Sequence, residues 1–202
     1  MANPARFRDV ADISSHYAAD TPVMLVLSAP QGVTNDLVAL VSAAQQGGDW
    51  QAALDSLQAR FEALIIDADP ALPEYERHAL LQAARDQVQV LADYAKGIAL
   101  LQHCPDPVQA RMLGTGEQFS VALMTASLKA RGLDAGALDA TCLVKSQGDY
   151  LNASADIPST IAAFTERKAQ GLPRISVMAG FVSGLPHGET ALLGRNGSDY
   201  SA

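Results

Sequence analysis

Two apolar runs set the terms on which this chain can fold. Val23-Met24-Leu25-Val26-Leu27 and Ile175-Ser176-Val177-Met178-Ala179-Gly180-Phe181-Val182 are short, rich in β-branched residues and almost free of polar interruption. A strand with one wet face alternates apolar and polar residues, whereas a strand covered on both faces reads as a continuous apolar run. The first run therefore predicts a strand buried on both faces and the second a strongly apolar strand, and most of the sequence between them carries helical period. Strands that alternate with helices imply an α/β sheet with helices on its faces.

The helices follow from spacing and punctuation. Asn3-Pro4 reads as an N-cap followed by proline at the first helical position, and Phe7, Val10, Ile13 or Ser14, and Tyr17 follow at helical spacing. After the first strand, Ser28 to Gly32 reads as a loop, and Thr34 as the cap of a helix carrying Leu37, Val38, Val41 and Ala44. Trp50, Leu54, Leu57, Phe61, Leu64 and Ile65 form one apolar stripe. Beyond Asp69-Pro70 and Pro73, a long helix carries Leu80, Leu81, Ala84, Val88, Leu91, Ile98 and Leu101. These two helices predict a helical insertion, about residues 48–104, packed over the sheet edge. Cys104-Pro105-Asp106-Pro107 ends that pair and opens the next helix with Asp106 as its cap. Gly114-Thr115-Gly116 is expected to interrupt it before it resumes through Phe119, Leu123 and Leu128 to Gly132. A short strand near Leu138 and a helix from about Pro158 to Gln170 come next. The second apolar run, a turn over Gly184 to Gly188, a returning strand at Thr190-Ala191-Leu192-Leu193 and a glycine-rich loop complete the reading.

Composition narrows the function. With 49% hydrophobic and 18% charged residues among 202, the chain can build a core. Its formal net charge of −8 argues against nucleic acid and against an anionic membrane surface, because both need a cationic field. Cys104 and Cys142 form no CxxC pattern and are expected to be buried free thiols. His16, His78, His103 and His187 lack metal-ligand spacing, so no metal site is expected. Neither a secretory signal nor a run of about 20 apolar residues is present, and the expected compartment is the cytoplasm.

Three loops carry most of the chemical groups, each after a predicted strand or at a helix start, where open α/β sheets bind ligands. Ser28-Ala29-Pro30-Gln31-Gly32-Val33-Thr34-Asn35 offers hydroxyls and helix-start amides suited to an anion, although a capped turn accounts for it as well. Gly114-Thr115-Gly116-Glu117 reads as a glutamate in a first turn, which ordinarily complements the helix dipole; its glycines also allow close approach of a ligand or another backbone. Gly194-Arg195-Asn196-Gly197-Ser198-Asp199-Tyr200 sets a planar guanidinium between glycines, a fork for a carboxylate or phosphate, and Ser198 is placed to cap a following helix. The plain alternative for this third loop is a hairpin with a surface arginine.

In this order the loops resemble those of the aspartate kinases of the amino acid kinase family. The matching segments are Leu27-Ser28-Ala29 with Gly32-Val33-Thr34-Asn35, Gly116-Glu117, and Gly194 to Tyr200; Met178 to Phe181 and Gly188-Glu189-Thr190 are also similar. Asn196 is most like the bifunctional aspartate kinase–homoserine dehydrogenases. The resemblance implies a three-layer α/β/α sandwich with a mostly parallel sheet, here incomplete at both ends, as one partial aspartate kinase domain over residues 1–202. The family's Lys-Phe-Gly-Gly-Thr-Ser strand, its nucleotide-binding half and any regulatory or dehydrogenase domain are expected to lie outside this sequence.

The resemblance also implies a reaction and roles. The β-carboxylate of L-aspartate attacks the γ-phosphorus of ATP, with Mg accompanying the nucleotide. Arg195 would pair with the substrate α-carboxylate and Glu117 with its ammonium. Thr34 and Ser198 would hydrogen-bond the substrate, Ser28 would lie near the reacting oxygens, and Phe181 would wall the pocket. Asp199 would orient the family's amino-terminal lysine. The intact family implies a homo-oligomer, and this chain alone is expected to be inactive. The competing readings are an amino acid kinase for glutamate, a carbamate or a nucleotide, and a non-catalytic binding module whose partner chain completes the sheet.

Overall fold

The computed structural model describes residues 4–194 and 201. Helix α1 (Pro4–Ala18) leads into strand β1 (Val23–Leu27) and helix α2 (Val33–Gln45). Helices α3 (Trp50–Ala68), α4 (Glu74–Leu101) and α5 (Asp106–Ala130) follow. Then come β2 (Ala135–Leu138), the single turn α6 (Ala140–Leu143), β3 (Ser146–Asp149), β4 (Asn152–Ala155) and α7 (Ile157–Ala169). The described chain ends with β5 (Ile175–Ala179), β6 (Val182–Gly184) and β7 (Thr190–Leu192).

The main sheet has the order β1-β5-β2 and is parallel throughout. Two antiparallel hairpins, β3-β4 and β6-β7, stand outside it. β5 is buried at all five positions, as its apolar run requires. β1 departs from the expectation. It forms one edge of the described sheet, and Met24 is 40% exposed. An apolar run reports the hydrophobicity of a strand and not its place in the sheet. The second run also breaks: Gly180 and Phe181 separate β5 from β6.

α5 is the axis of the fold. It packs against β1, β5 and β2 on one side and against α1, α2, α3 and α4 elsewhere. It is buried on nearly every face, which marks a core helix and not a surface one. Gly114-Thr115-Gly116 does not interrupt it. Each glycine costs a free helix about 1 kcal/mol relative to alanine, but here both are contact points. A Cβ on Gly114 would lie 3.1 Å from Val182 Cγ2. One on Gly116 would lie 2.8 Å from both Ala29 Cβ and Val33 Cγ1. Close packing outweighs propensity.

Other details also differ from the spacing-based expectations. α3 and α4 pack on each other, on α2 and on α5, building a helical layer and not a cover for the sheet edge. Pro105 is the N-cap of α5 and Asp106 its first residue. Ser14, not Ile13, faces inward from α1, and Ile13 and Tyr17 are exposed. Cys104 is buried but Cys142 is exposed; both are free. α6 and the β3-β4 hairpin carry too little apolar period to be read from sequence.

A charged junction locks α1, α3, α4 and α5 together at the carboxyl end of α3. Arg8 donates to the Asp67 and Ala68 carbonyls, and Arg77 to those of Ile65 and Ile66, the latter pair at 2.7 Å each. Guanidinium groups there satisfy carbonyls that have no partner within the helix and face the negative end of its dipole. Arg131 bridges Asp69, which is 3% exposed, at 2.7 Å and also reaches Asp12. Among the described residues, no helix is long and apolar enough to cross a membrane.

Candidate functional site

Parallel strands bring their carboxyl ends to one edge, so Leu27, Leu138 and Ala179 open onto the same side of the sheet. The loop after β1 runs over Ser28, which is exposed, to Gly32, whose φ of 85° suits glycine and few other residues. Gly32 is the N-cap of α2. Thr34 therefore lies within the first turn and not at the cap, and its side chain is half-buried. Arg60 of α3 braces this loop, donating to the Gln31 carbonyl at 3.4 Å and pairing with Asp36 at 2.9 Å. The positive end of α2 is thereby held at the carboxyl edge.

Glu117 is the second element of the site, and its setting differs from the sequence reading. It lies well inside α5, not at a helix start, and is only 3% exposed. A buried carboxylate needs donors to offset the loss of water. One is the Phe181 backbone N–H, which donates to Glu117 Oε2 at 2.6 Å, a short charge-assisted bond. Gly116, the residue before it, packs against Ala29 and Val33, which lie between Ser28 and Thr34 in the first loop. Close packing at a glycine thus joins the first two sequence motifs at one place.

The third element is the turn Gly180-Phe181. Its backbone is tied on four sides. The Gly180 N–H donates to the Leu27 carbonyl at 3.0 Å, the Phe181 N–H to Glu117, and the Leu193 N–H to the Phe181 carbonyl at 2.9 Å. The Ser201 hydroxyl donates to the Gly180 carbonyl at 2.6 Å. The Phe181 side chain is half-buried. Sequence reasoning ran a strand through this turn and missed Gly180 and Ser201. The signal available was the Gly180 punctuation inside an apolar run.

The structure thus brings together the Ser28–Thr34 loop, Glu117 and Phe181. Arg195, Ser198 and Asp199 lie outside the described residues. Beside Glu117 and Phe181 in sequence, a cavity of about 400 Å³ opens at the carboxyl ends of β2 and β5, bounded by Gln118, Val121, Leu138, Asp139, Ala179 and Val182. Asp139 is engaged as the cap of α6, accepting from Thr141 N–H and Oγ1–H. A second cavity of about 230 Å³ lies between α3, α4 and α5 beside the stacked rings of Phe61 and Phe119; its lining is chiefly apolar. Among the described residues, no group of three or more His, Cys, Asp or Glu side chains is arranged to hold a metal ion. The arrangement can present one buried anion and a helix amino terminus to a small zwitterion. A carboxylate meets an ammonium, and helix-start amides and hydroxyls meet an anionic group.

Comparison with known proteins places this geometry in a wider set. The model of the amino acid kinase family matches residues 1–202. The bifunctional aspartokinase/homoserine dehydrogenase of Haemophilus influenzae is 30% identical over 205 residues, covering all of this chain and 25% of that protein. Bifunctional aspartokinase/homoserine dehydrogenase 2 of Escherichia coli is 31% identical over 203 residues, covering all of this chain and 24% of that protein. The chain spans about a quarter of the length of these relatives. Among solved structures, E. coli aspartokinase III in complex with aspartate and ADP superposes with a TM-score of 0.77 at 23% identity, over 96% of this chain and 42% of that one. The same enzyme with lysine and aspartate gives 0.79 at 23% identity. These two structures share the parallel-sheet α/β fold.

Proposed function

The chain belongs to the amino acid kinase family, and on that premise we propose that it is the aspartate-binding part of an aspartate kinase. The observation that carries the reading is the buried Glu117 carboxylate, held by the Phe181 N–H beside the Ser28–Thr34 loop. The relatives that match the whole chain are named as aspartokinases joined to homoserine dehydrogenases, which supports the same substrate class. In this reading residues 1–202 form one partial kinase domain, with α3 and α4 as a helical insertion.

The substrate is a small zwitterion with a second carboxylate. Glu117 receives its ammonium, and Arg195 takes its α-carboxylate through two parallel N–H donors. Thr34 and Ser198 donate hydrogen bonds to it, and Phe181 walls the pocket. Ser28 lies toward the β-carboxylate, the attacking nucleophile on the γ-phosphorus of ATP. The products are aspartyl phosphate and ADP. Asp199 orients a cationic partner at the transferred group. Magnesium would arrive on the nucleotide phosphates; no residue described here is assigned to it. Burial supports the role of Glu117, because an anion excluded from water attracts an ammonium far more strongly than an exposed one.

Calorimetric titration with L-aspartate and with succinate tests this. Succinate keeps both carboxylates and lacks the ammonium. Glu117→Gln should weaken aspartate about tenfold or more while leaving succinate nearly unchanged, and Arg195→Lys should weaken both, losing the planar fork while keeping the charge. Equal weakening of both ligands by Glu117→Gln would remove the assignment.

A further inference from the structure

The peptide group between Gly180 and Phe181 is held from both ends. On one side its N–H donates to Glu117 Oε2 at 2.6 Å; on the other its carbonyl accepts from the Ser201 hydroxyl at 2.6 Å. These are two faces of one amide. A donor on a peptide carbonyl draws electron density toward the oxygen and makes the N–H of the same amide a stronger donor, so bonds in such a chain reinforce each other. The Ser201 hydroxyl reaches across 21 residues of sequence to the turn that orients Glu117.

We propose that Ser201 is a positioning residue for Glu117, acting through the Gly180–Phe181 peptide to fix the carboxylate that discriminates ligands bearing an ammonium. The proposal rests on the reading of Glu117 given above. It assigns Ser201 no contact with substrate. The hydroxyl fixes the orientation of one amide plane, and the amide fixes one carboxylate oxygen. The same turn is tied to β1 through Gly180 N–H and Leu27 O, and to the end of β7 through Leu193 N–H and Phe181 O. The rest of the turn therefore stays in place when the hydroxyl is removed. On its other side Ser201 borders a small cavity of about 180 Å³ lined mainly by Val144, Ala155, Ile157, Phe164 and Leu193.

Two readouts test this on the whole chain. The first is the ratio of aspartate to succinate affinity by calorimetry. Ser201→Ala should lower that ratio about three- to tenfold, the span of one net hydrogen bond, and Ser201→Thr, which keeps the hydroxyl, should restore it. The second needs no ligand: the amide proton of Phe181 in a ¹H–¹⁵N spectrum. It should move upfield in Ser201→Ala and in Glu117→Gln and stay in place in Ser201→Thr. If Glu117→Gln leaves ligand discrimination unchanged, the functional reading fails, and the Phe181 resonance alone decides the coupling. If Glu117→Gln behaves as expected while Ser201→Ala changes neither the ratio nor the Phe181 amide, the coupling is overturned and the functional reading stands. A Ser201→Ala protein that weakens both ligands equally also overturns it, since that is the mark of a merely structural residue.

Discussion

Gly116 of α5 stands directly against Ala29 of the loop after β1: a Cβ on the glycine would come within 2.8 Å of Ala29 Cβ, and equally of Val33 Cγ1. That contact brings the helix carrying Glu117 to the loop carrying Ser28 and Thr34. In an isolated helix, Gly→Ala would stabilise by about 1 kcal/mol. Here the packing effect has the opposite sign, and inserting a methyl into a filled contact costs about 1–3 kcal/mol. Gly116→Ala should therefore destabilise the protein, read as a lower urea midpoint. Adding Ala29→Gly should recover only part of the loss, because the Val33 contact remains.

Gly184 is a stricter case. A Cβ there would lie 2.0 Å from the Thr141 carbonyl oxygen, which is backbone and cannot rotate away. Ser183, next to it, bonds the Ser146 hydroxyl at 2.9 Å in a fully buried setting. Gly184→Ala should separate α6 from the β6-β7 hairpin. The expected outcome is a fall in thermal midpoint larger than that of Gly116→Ala, measured by circular dichroism.

The bridge from Arg131 to Asp69 joins α5 to the end of α3. Asp69 is 3% exposed, and it also accepts from the Ala71 N–H at 2.9 Å. Arg131→Met should destabilise toward the lower end of the about 3–5 kcal/mol typical when one member of a buried pair is removed, because the arginine keeps some contact with water. Asp69→Asn added to it should recover part of the loss, since asparagine keeps the acceptor for Ala71 without the stranded charge. Denaturant titration of the two variants gives the comparison.

Tyr150 donates its hydroxyl to Glu189 at 2.9 Å, and that hydrogen bond to a carboxylate holds the phenol above its ordinary pKa. Only the neutral phenol can donate, so the bond favours the protonated form. Any stability it contributes is present in full below the ordinary tyrosine pKa of about 10 and is lost as pH rises through the higher folded value. In ultraviolet difference titration, Glu189→Gln should move one of the five tyrosines to lower pH. Superimposable curves would show that the bond does not persist in solution.

The apolar runs and helical stripes made much of this fold legible. β1, β2, β5, α2, α3, α4 and α7 lie close to where spacing and punctuation put them, because local period and turn chemistry are local properties of a chain. The identity of the glycines was legible too, but not their purpose. Gly114 and Gly116 read as a break because propensity is all that a sequence shows of a helical glycine; the neighbours that require them, Val182, Ala29 and Val33, come from other parts of the chain. The β3-β4 hairpin escaped notice because Ser146 to Ala155 is mostly small and polar, and its pairing is set by backbone bonds.

The sequence by itself determined most of the elements, the family and the three segments that carry chemical groups, since motifs and periodicities are written in order along the chain. Only the tertiary structure decided that Glu117 is buried inside a continuous helix, that a turn and not a strand follows Ala179, and that Glu117 Oε2 and Ser201 Oγ–H hold opposite ends of the Gly180–Phe181 amide. The physical reason is burial: where a residue ends up dry, its polar atoms must find partners, and those partners here lie 64 and 21 residues away.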